Sequence, residues 1–325
     1  MRERSVRRLA LWMTGLAFAV VVLGAWVRLT GAGLGCPDWP GCYGRMVIGP
    51  EGTSLAAAIE GGKAWREMVH RYAAGMLGIG ILILAAAAVH SRRQRAEGGS
   101  VALAVVLVGL VAFQAALGAW TVTQRLQPVV VVAHLLGGMA VLGLLWRIHL
   151  GAPATSARPP PAWLRPATAV GVAILAVQIA LGGWTSANYA ALACPDFPTC
   201  HGDWWPAGNY ATGFRLWQES RTGFEGGVLA GDARIAIHFM HRIGALVTVA
   251  YLGALCGASM RRGRPDRRLM VATRSALVLL IVQAVLGVSN VWLQLPLGVA
   301  VAHNAGAALL LLALITMHHR SGRRS

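Results

Sequence analysis

The chain of 325 residues is 56% hydrophobic and 13% charged, with a mean hydropathy of +0.57, which excludes an ordinary soluble domain and indicates an integral membrane protein. Its formal net charge of +17 would suit nucleic acid in a soluble protein. Here the placement of the basic residues argues for no nucleic-acid partner and for acidic membrane lipid instead.

Apolar runs near the roughly 20 residues needed to cross a bilayer are predicted, in chain order, at 9–29, 68–90, 101–122, 128–150, 164–186, 236–259, 270–292 and 297–318. The expected fold class is therefore an all-α integral membrane protein with eight transmembrane helices. The first run follows Arg2, Arg4, Arg7 and Arg8 and could pass for a cleaved signal peptide, a reading that the internal repeat described next opposes. The N-terminus, the SRRQR stretch, the 147–165 linker region, RRGRPDRR and the C-terminus hold 18 basic residues against three acidic ones, Glu3, Glu97 and Asp266. The opposite segments hold 10 basic and nine acidic residues. By the positive-inside rule both termini are expected in the cytoplasm, with the protein in the cell (plasma) membrane and the long loops at 30–67 and 187–235 facing outward.

The two halves of the chain match in blocks. LGAW at 23–26 meets LGGW at 181–184, and CPDWPGC at 36–42 meets CPDFPTC at 194–200, both at an offset of 158. MVHRYAAGML at 68–77 meets FMHRIGALVT at 239–248 at an offset of 171, and FQAALGAW and VVAHLLGG meet VQAVLGVS and AVAHNAGA at 169. The offset changes fall in loops, as a duplication requires. An even number of helices per copy makes the repeats parallel, so the expected architecture is two tandem pseudo-symmetric four-helix bundles, 1–150 and 164–325, joined by a Pro- and Ala-rich linker at 151–163. Because the fifth helix is the counterpart of the first, the first is read as retained.

Of ten histidines, His90, His149, His318 and His319 lie at cytoplasmic helix ends among arginines, and His201 lies in an outer loop. His70, His134, His241 and His303 recur at two equivalent places in both halves. His70 is expected in the first turn of its helix, and His134 about 9 Å into its own at ~1.5 Å per residue from Pro128. Ionisable residues inside a membrane are functional candidates. Two imidazoles on facing helices of a bundle can hold a haem iron from opposite sides, which gives one pocket per half. Arg71 and Arg242 directly follow the helix histidines; they could pair with haem propionates or extend toward the interface. A di-iron centre is the competing chemistry, since EMVH at 67–70 has the Glu-x-x-His form, but such a centre needs two of these motifs and the residue matching Glu67 is His238. Glu67, three residues from His70 on one helix face, puts a carboxylate in the first half only. It is read either as a group that handles charge or a proton or as an exposed helix-start glutamate. The asymmetry suggests one haem held as cofactor and the other worked upon. His238 has three readings: alternative ligand, proton relay or interfacial residue.

Taken together, the E-x-x-H-R at 67–71, the Ala-His positions at 133–134 and 302–303, the HR at 241–242 and the paired cysteines make the chain resemble the haem A synthases over nearly its whole length. The resemblance implies oxidation of the C8 methyl of haem O to a formyl group by hydroxylation and loss of water, an oxidoreductase activity on a CH or CH2 group. It further implies cofactor haem b between His241 and His303, substrate haem O between His70 and His134, and Glu67 as the catalytic carboxylate. Haem O synthase as a docking partner, a membrane electron acceptor and a homo-oligomer are further candidate partners that the sequence does not specify. The rival readings are a di-haem b-type electron-transfer subunit, whose histidines would look the same, and a small-solute transporter, which should carry polar sites at the membrane midplane.

The cysteine loops are expected outside the membrane, where disulfides persist. Bonds Cys36–Cys42 and Cys194–Cys200 would each close a tight turn over the pocket of the same bundle, while cross-loop pairing stays open, since four cysteines allow three connectivities. A structural staple and a reducible bond are both compatible with that position. Cys256 reads as an apolar packing residue.

Overall fold

A computed structural model of the protein describes residues 3–47, 55–94, 99–152, 160–262 and 267–322. The described residues form helices α1 (Glu3–Leu29), α2 (Leu55–Gln94), α3 (Gly99–Thr123), α4 (Pro128–Leu150), α5 (Leu164–Ala187), α6 (Tyr210–Gly213), α7 (Gly231–Arg262), α8 (Arg267–Trp292) and α9 (Leu297–Arg320). All but the single turn α6 are long and apolar enough to cross a membrane, so the protein is an all-helical, multi-pass membrane protein. Most of the predicted linker, residues 153–159, lies outside the described residues.

Five of the eight runs lie within three residues of the helix bounds, but α1, α2 and α7 begin six, 13 and five residues before the apolar signal does (9 minus 3, 68 minus 55, 236 minus 231). Their early turns carry polar residues such as Arg66, Glu67 and Asp232, which a hydropathy window discards. One consequence is a correction. His70 is not in a first turn but fifteen positions beyond Leu55, so Glu67 is not an exposed helix-start residue either; it is 5% exposed.

Helices α1–α4 pack as one group, with α1 against α2 and α4, and α3 against α2 and α4; α5, α7, α8 and α9 pack as a second, and α1 and α4 meet α5 and α9 between them. Small residues let these helices approach: a Cβ on Gly143 of α4 would lie 2.8 Å from Ile315 of α9, and one on Gly183 of α5 would lie 2.9 Å from Leu135 of α4. A continuous core runs through both groups and includes Leu84, Leu107, Leu142, Leu164, Leu252 and Leu314. On the opposite faces Leu82, Ile83, Val105, Leu246, Val278 and Val285 are exposed, as a lipid-facing surface requires.

The backbone repeats with the sequence. Left-handed residues Arg125 and Leu126 between α3 and α4 match Gln294 and Leu295 between α8 and α9, Gly31 matches Tyr189, and Tyr43 and Gly44 match His201 and Gly202. Arg28 crosses between the halves to donate to the carbonyl of Ser186 at 2.6 Å and to the Tyr189 hydroxyl at 2.9 Å. By the 158 offset Ser186 is its own counterpart, so this contact lies close to the pseudo-symmetry axis. The longer second loop also reaches the first half, with Phe224 N–H donating to the Arg125 carbonyl at 3.0 Å and the Gln127 amide donating to the Gln218 carbonyl at 2.8 Å.

Candidate functional site

Each of the four recurrent histidines lies with its ring against a glycine of the neighbouring helix. A Cβ would sit 3.0 Å from His70 Cε1 if added to Gly24 of α1, and 3.5 Å from His134 Cε1 if added to Gly118 of α3. The corresponding distances are 3.1 Å from His241 Cε1 at Gly182 of α5 and 3.3 Å from His303 Cε1 at Gly287 of α8. These are the glycines of the recurring Leu-Gly pairs, and their missing side chains leave the space in which the imidazoles lie.

In the first half the rings of His70 and His134 are 6.5 Å apart between centroids, with their planes at 82°. Imidazoles bonded from opposite sides to one metal at about 2.0–2.1 Å per bond have ring centres roughly 6 Å apart, so this spacing fits a shared iron. The Nδ1 atoms of His70, His134 and His303 are buried without a hydrogen-bond partner among the described residues. His241 and His303 occupy the equivalent glycine-backed places in the second half. Half-buried imidazoles backed by glycine at equivalent places fit a haem held through two histidines in each half. Among the described residues no group of three or more His, Cys, Asp or Glu side chains is gathered as a di-iron site would need.

Above each pair sits a cysteine loop. The disulfides join Cys36 to Cys42 and Cys194 to Cys200, the in-loop connectivity, and all four cysteines are fully buried. In the first loop Asp38 accepts from the main-chain N–H groups of Tyr43 at 2.7 Å and Gly44 at 2.8 Å; in the second, Asp196 accepts from those of His201 at 2.6 Å and Gly202 at 2.9 Å. Donation from Gly44 holds the Asp38 carboxyl below its ordinary range. The Thr199 hydroxyl, followed by Gly202, lowers that of Asp196 much further. The Asp of the Cys-Pro-Asp motif is thus the acceptor that closes the turn, which explains its presence in both copies. His201, exposed in the outer loop, also places Nε2 2.9 Å from the Ala193 carbonyl.

Beneath the lids the two halves diverge. One oxygen of Glu67 accepts from the Cys36 N–H at 3.0 Å and the other pairs with Arg71 Nη2 at 2.5 Å. Arg71 Nη1 donates to the carbonyls of Asp38 and Gly41. In the second half His238, 4% exposed, takes the same place: the Cys194 N–H approaches its Nδ1 at 3.2 Å and Arg242 Nε its Nε2 at 3.3 Å. Arg242 also donates to the carbonyls of Thr199 at 2.7 Å and Cys194 at 2.8 Å. These arginines, read as propionate partners or as interfacial side chains, have both terminal nitrogens engaged by the loops or Glu67. His238 is therefore the positional equivalent of Glu67 in three dimensions as well as in sequence, which its place three residues before His241 foreshadowed.

Glutamines are the functional candidates that sequence reading missed. Gln178 of α5 brings its amide nitrogen to 3.1 Å from both Nδ1 and the main-chain carbonyl of His241, and Gln283 of α8 donates to the His303 carbonyl at 2.8 Å. The signal was present, since Gln precedes the ring-backing glycine by four residues in both cases, one helical turn.

Comparison with known proteins agrees with this geometry. Residues 7–315 match the family model COX15-CtaA, described as a cytochrome oxidase assembly protein. The chain is 43% identical over 321 residues to the haem A synthase of Shewanella oneidensis, covering 92% of each protein. It is 28% identical to the haem A synthase of Rhizorhabdus wittichii, over 98% of this chain and 94% of that one, and 26% identical to that of Shouchella clausii, over 89% and 87%. Matched by the family model over nearly its whole length and by haem A synthases across their length, the chain belongs to the COX15-CtaA family, the family of the haem A synthases.

Proposed function

We propose that the protein oxidises the C8 methyl of haem O to the formyl group of haem A, an oxidation at a CH or CH2 group. In this reading residues 1–150 form the substrate bundle, with haem O between His70 and His134, and residues 164–325 form the cofactor bundle, with haem b between His241 and His303. The intervening 151–163 is the linker. The protein sits in the cell membrane with both termini in the cytoplasm, as the basic residues suggest. Membrane lipid surrounds it, and haem O synthase supplies the substrate.

The observation that carries this reading is a pair of alike histidine sites of which only the first has a carboxylate, Glu67, bonded to the N–H of its leading lid cysteine, where the second has His238. When bound, haem b supplies a redox centre that takes electrons from the substrate side. The chain's own residues do the rest. His70 and His134 hold the substrate macrocycle by its iron. Glu67, fixed by Arg71 and the Cys36 N–H, offers a negative oxygen where the methyl carbon becomes electron-poor, and it can accept a proton from an incoming water. The lid over the site limits exchange with bulk water.

The test is an absorption spectrum of the purified protein followed by extraction of its haem from cells supplied with haem O. Formyl haem from the wild type and none from Glu67→Gln, with haem still bound in both, is the expected result. Haem b alone from the wild type would favour the electron-transfer reading, and formyl haem from the Gln variant would remove the role given to Glu67.

A further inference from the structure

The four histidine sites share one construction, and one of the four departs from it. On the helix that backs each ring, the residue four before the glycine is Gln114 for His134, Gln178 for His241 and Gln283 for His303; for His70 it is Val20. On the histidine's own helix, the residue three positions on is Gly137, Gly244 and Gly306 for the same three, and Ala73 for His70. The two positions touch. A Cβ on Gly137, Gly244 or Gly306 would run into the amide of Gln114, Gln178 or Gln283 respectively, so each glutamine needs its glycine. Where the glutamine is replaced by valine the glycine is replaced by alanine, and the pair has changed together.

The glutamines lie within the membrane-spanning helices, where a polar side chain without a task is disfavoured. Two of them are tied to the histidine that the glycine leaves room for: Gln178 to the main chain and ring of His241, Gln283 to the main chain of His303. In the first half the Nδ1 atoms of His70 and His134 and the amide nitrogen of Gln114 are all buried without a hydrogen-bond partner among the described residues. Outer partners that fix a ligating histidine commonly change metal affinity 10–100-fold when removed.

We infer that Gln178 and Gln283 are positioning residues for His241 and His303, and that His70 and His134 lack this restraint, His70 having neither the glutamine nor its glycine. The inference rests on the haem-ligand reading above and deepens it. The bundle that must exchange its haem at every turnover has no ligand bonded to a side-chain amide, whereas the bundle that keeps its haem has two.

The test uses the full-length protein in detergent and follows haem loss to an excess of an apo-haem-protein acceptor, together with the reduction potential and low-spin resonance spectrum of the haem that stays. In Gln178→Met, loss from the C-terminal site should be roughly tenfold faster with a shifted potential, and Gln178→Glu should restore part of the retention. In the double variant Val20→Gln, Ala73→Gly, loss from the N-terminal site should slow by a similar factor. Unchanged loss rates and potentials in both variants, with His241→Ala still abolishing the C-terminal haem signal, would overturn the inference while leaving the ligand reading standing. A wild-type haem spectrum in His241→Ala would overturn the ligand reading and this inference with it.

Discussion

Glu67 and His238 hold the same place in the two halves, each meeting the N–H of the first loop cysteine and the arginine four residues on, yet they cannot serve it equally. A carboxylate has two oxygens and can accept from both donors at once. A neutral imidazole has one acceptor nitrogen, so of the contacts to Cys194 and Arg242 only one is a full hydrogen bond at a time. The exchange should therefore act differently in the two directions. Glu67→His is expected to keep the fold and both haems but to abolish formyl haem, whereas His238→Glu should tighten the second lid with conversion retained. Haem extraction, together with the rate at which a mild reductant opens each disulfide, reads both outcomes.

Glycine at the ring-backing positions leads to a second prediction. A methyl group added at Gly24 or Gly182 would press on the His70 or His241 ring at 3.0 or 3.1 Å, tighter than an ordinary contact. Overpacking of this kind costs about 1–3 kcal/mol, and the imidazole is the part able to move. Gly24→Ala should reduce haem in the first half alone, and Gly182→Ala in the second alone. Gly118→Ala, at 3.5 Å, should be the mildest of the three. Haem stoichiometry of purified variants decides this, and equal losses in all three would refute it.

The aspartates of the lids set a pH dependence. Asp38 and Asp196 both have lowered folded-state pKa values, Asp196 the more so. A lowered value means that the charge-assisted bonds stabilise the lid fully above the unfolded carboxylate range, near pH 4, and are lost as pH falls through the folded values. Both lids should be equally protected between pH 8 and pH 5, and on acidification the first should open before the second. Hydrogen exchange at the Tyr43, Gly44, His201 and Gly202 amides, corrected for intrinsic rates, measures this. In Asp38→Asn the first lid should loosen even at pH 7.

The contact across the axis can be broken alone. Replacing Arg28 with Met keeps its stem but removes the bonds to Ser186 and Tyr189, which are charge-assisted and partly buried. The expected cost is about 1.5–3 kcal/mol, appearing as a lower thermal midpoint with little change in the haem spectrum of either half.

Much of this protein is legible in its sequence. Helix count follows from hydropathy because lipid demands long apolar runs. The cysteine pairing was favoured in advance because each loop is short and occurs twice. His70, His134, His241 and His303 stand out because ionisable residues are scarce in membrane spans. The true start of α2 does not stand out, since polar residues such as Arg66 and Glu67 lie outside the apolar run that a hydropathy window detects. Nor do the glutamines: VQIALGGW and FQAALGAW can be read as a helix-pair signature only once the facing histidines are known to lie against their glycines. His238 was visible as a substitution, but its partner, the Cys194 N–H, is 44 residues away in sequence.

The lids also differ as electrostatic objects. Around Arg71 stand two carboxylates, Glu67 and Asp38; near Arg242 stands one, Asp196. At the bridge that closes each loop the order reverses, since Arg45 of the first lid matches Asp203 of the second. Glu67 is buried and Arg45 and Asp203 are exposed, so the first lid turns its added negative charge inward and the second turns its own outward. Exchange of one residue in a duplicated lid thus changes the charge facing the histidine pair without making the first lid the more negative as a whole.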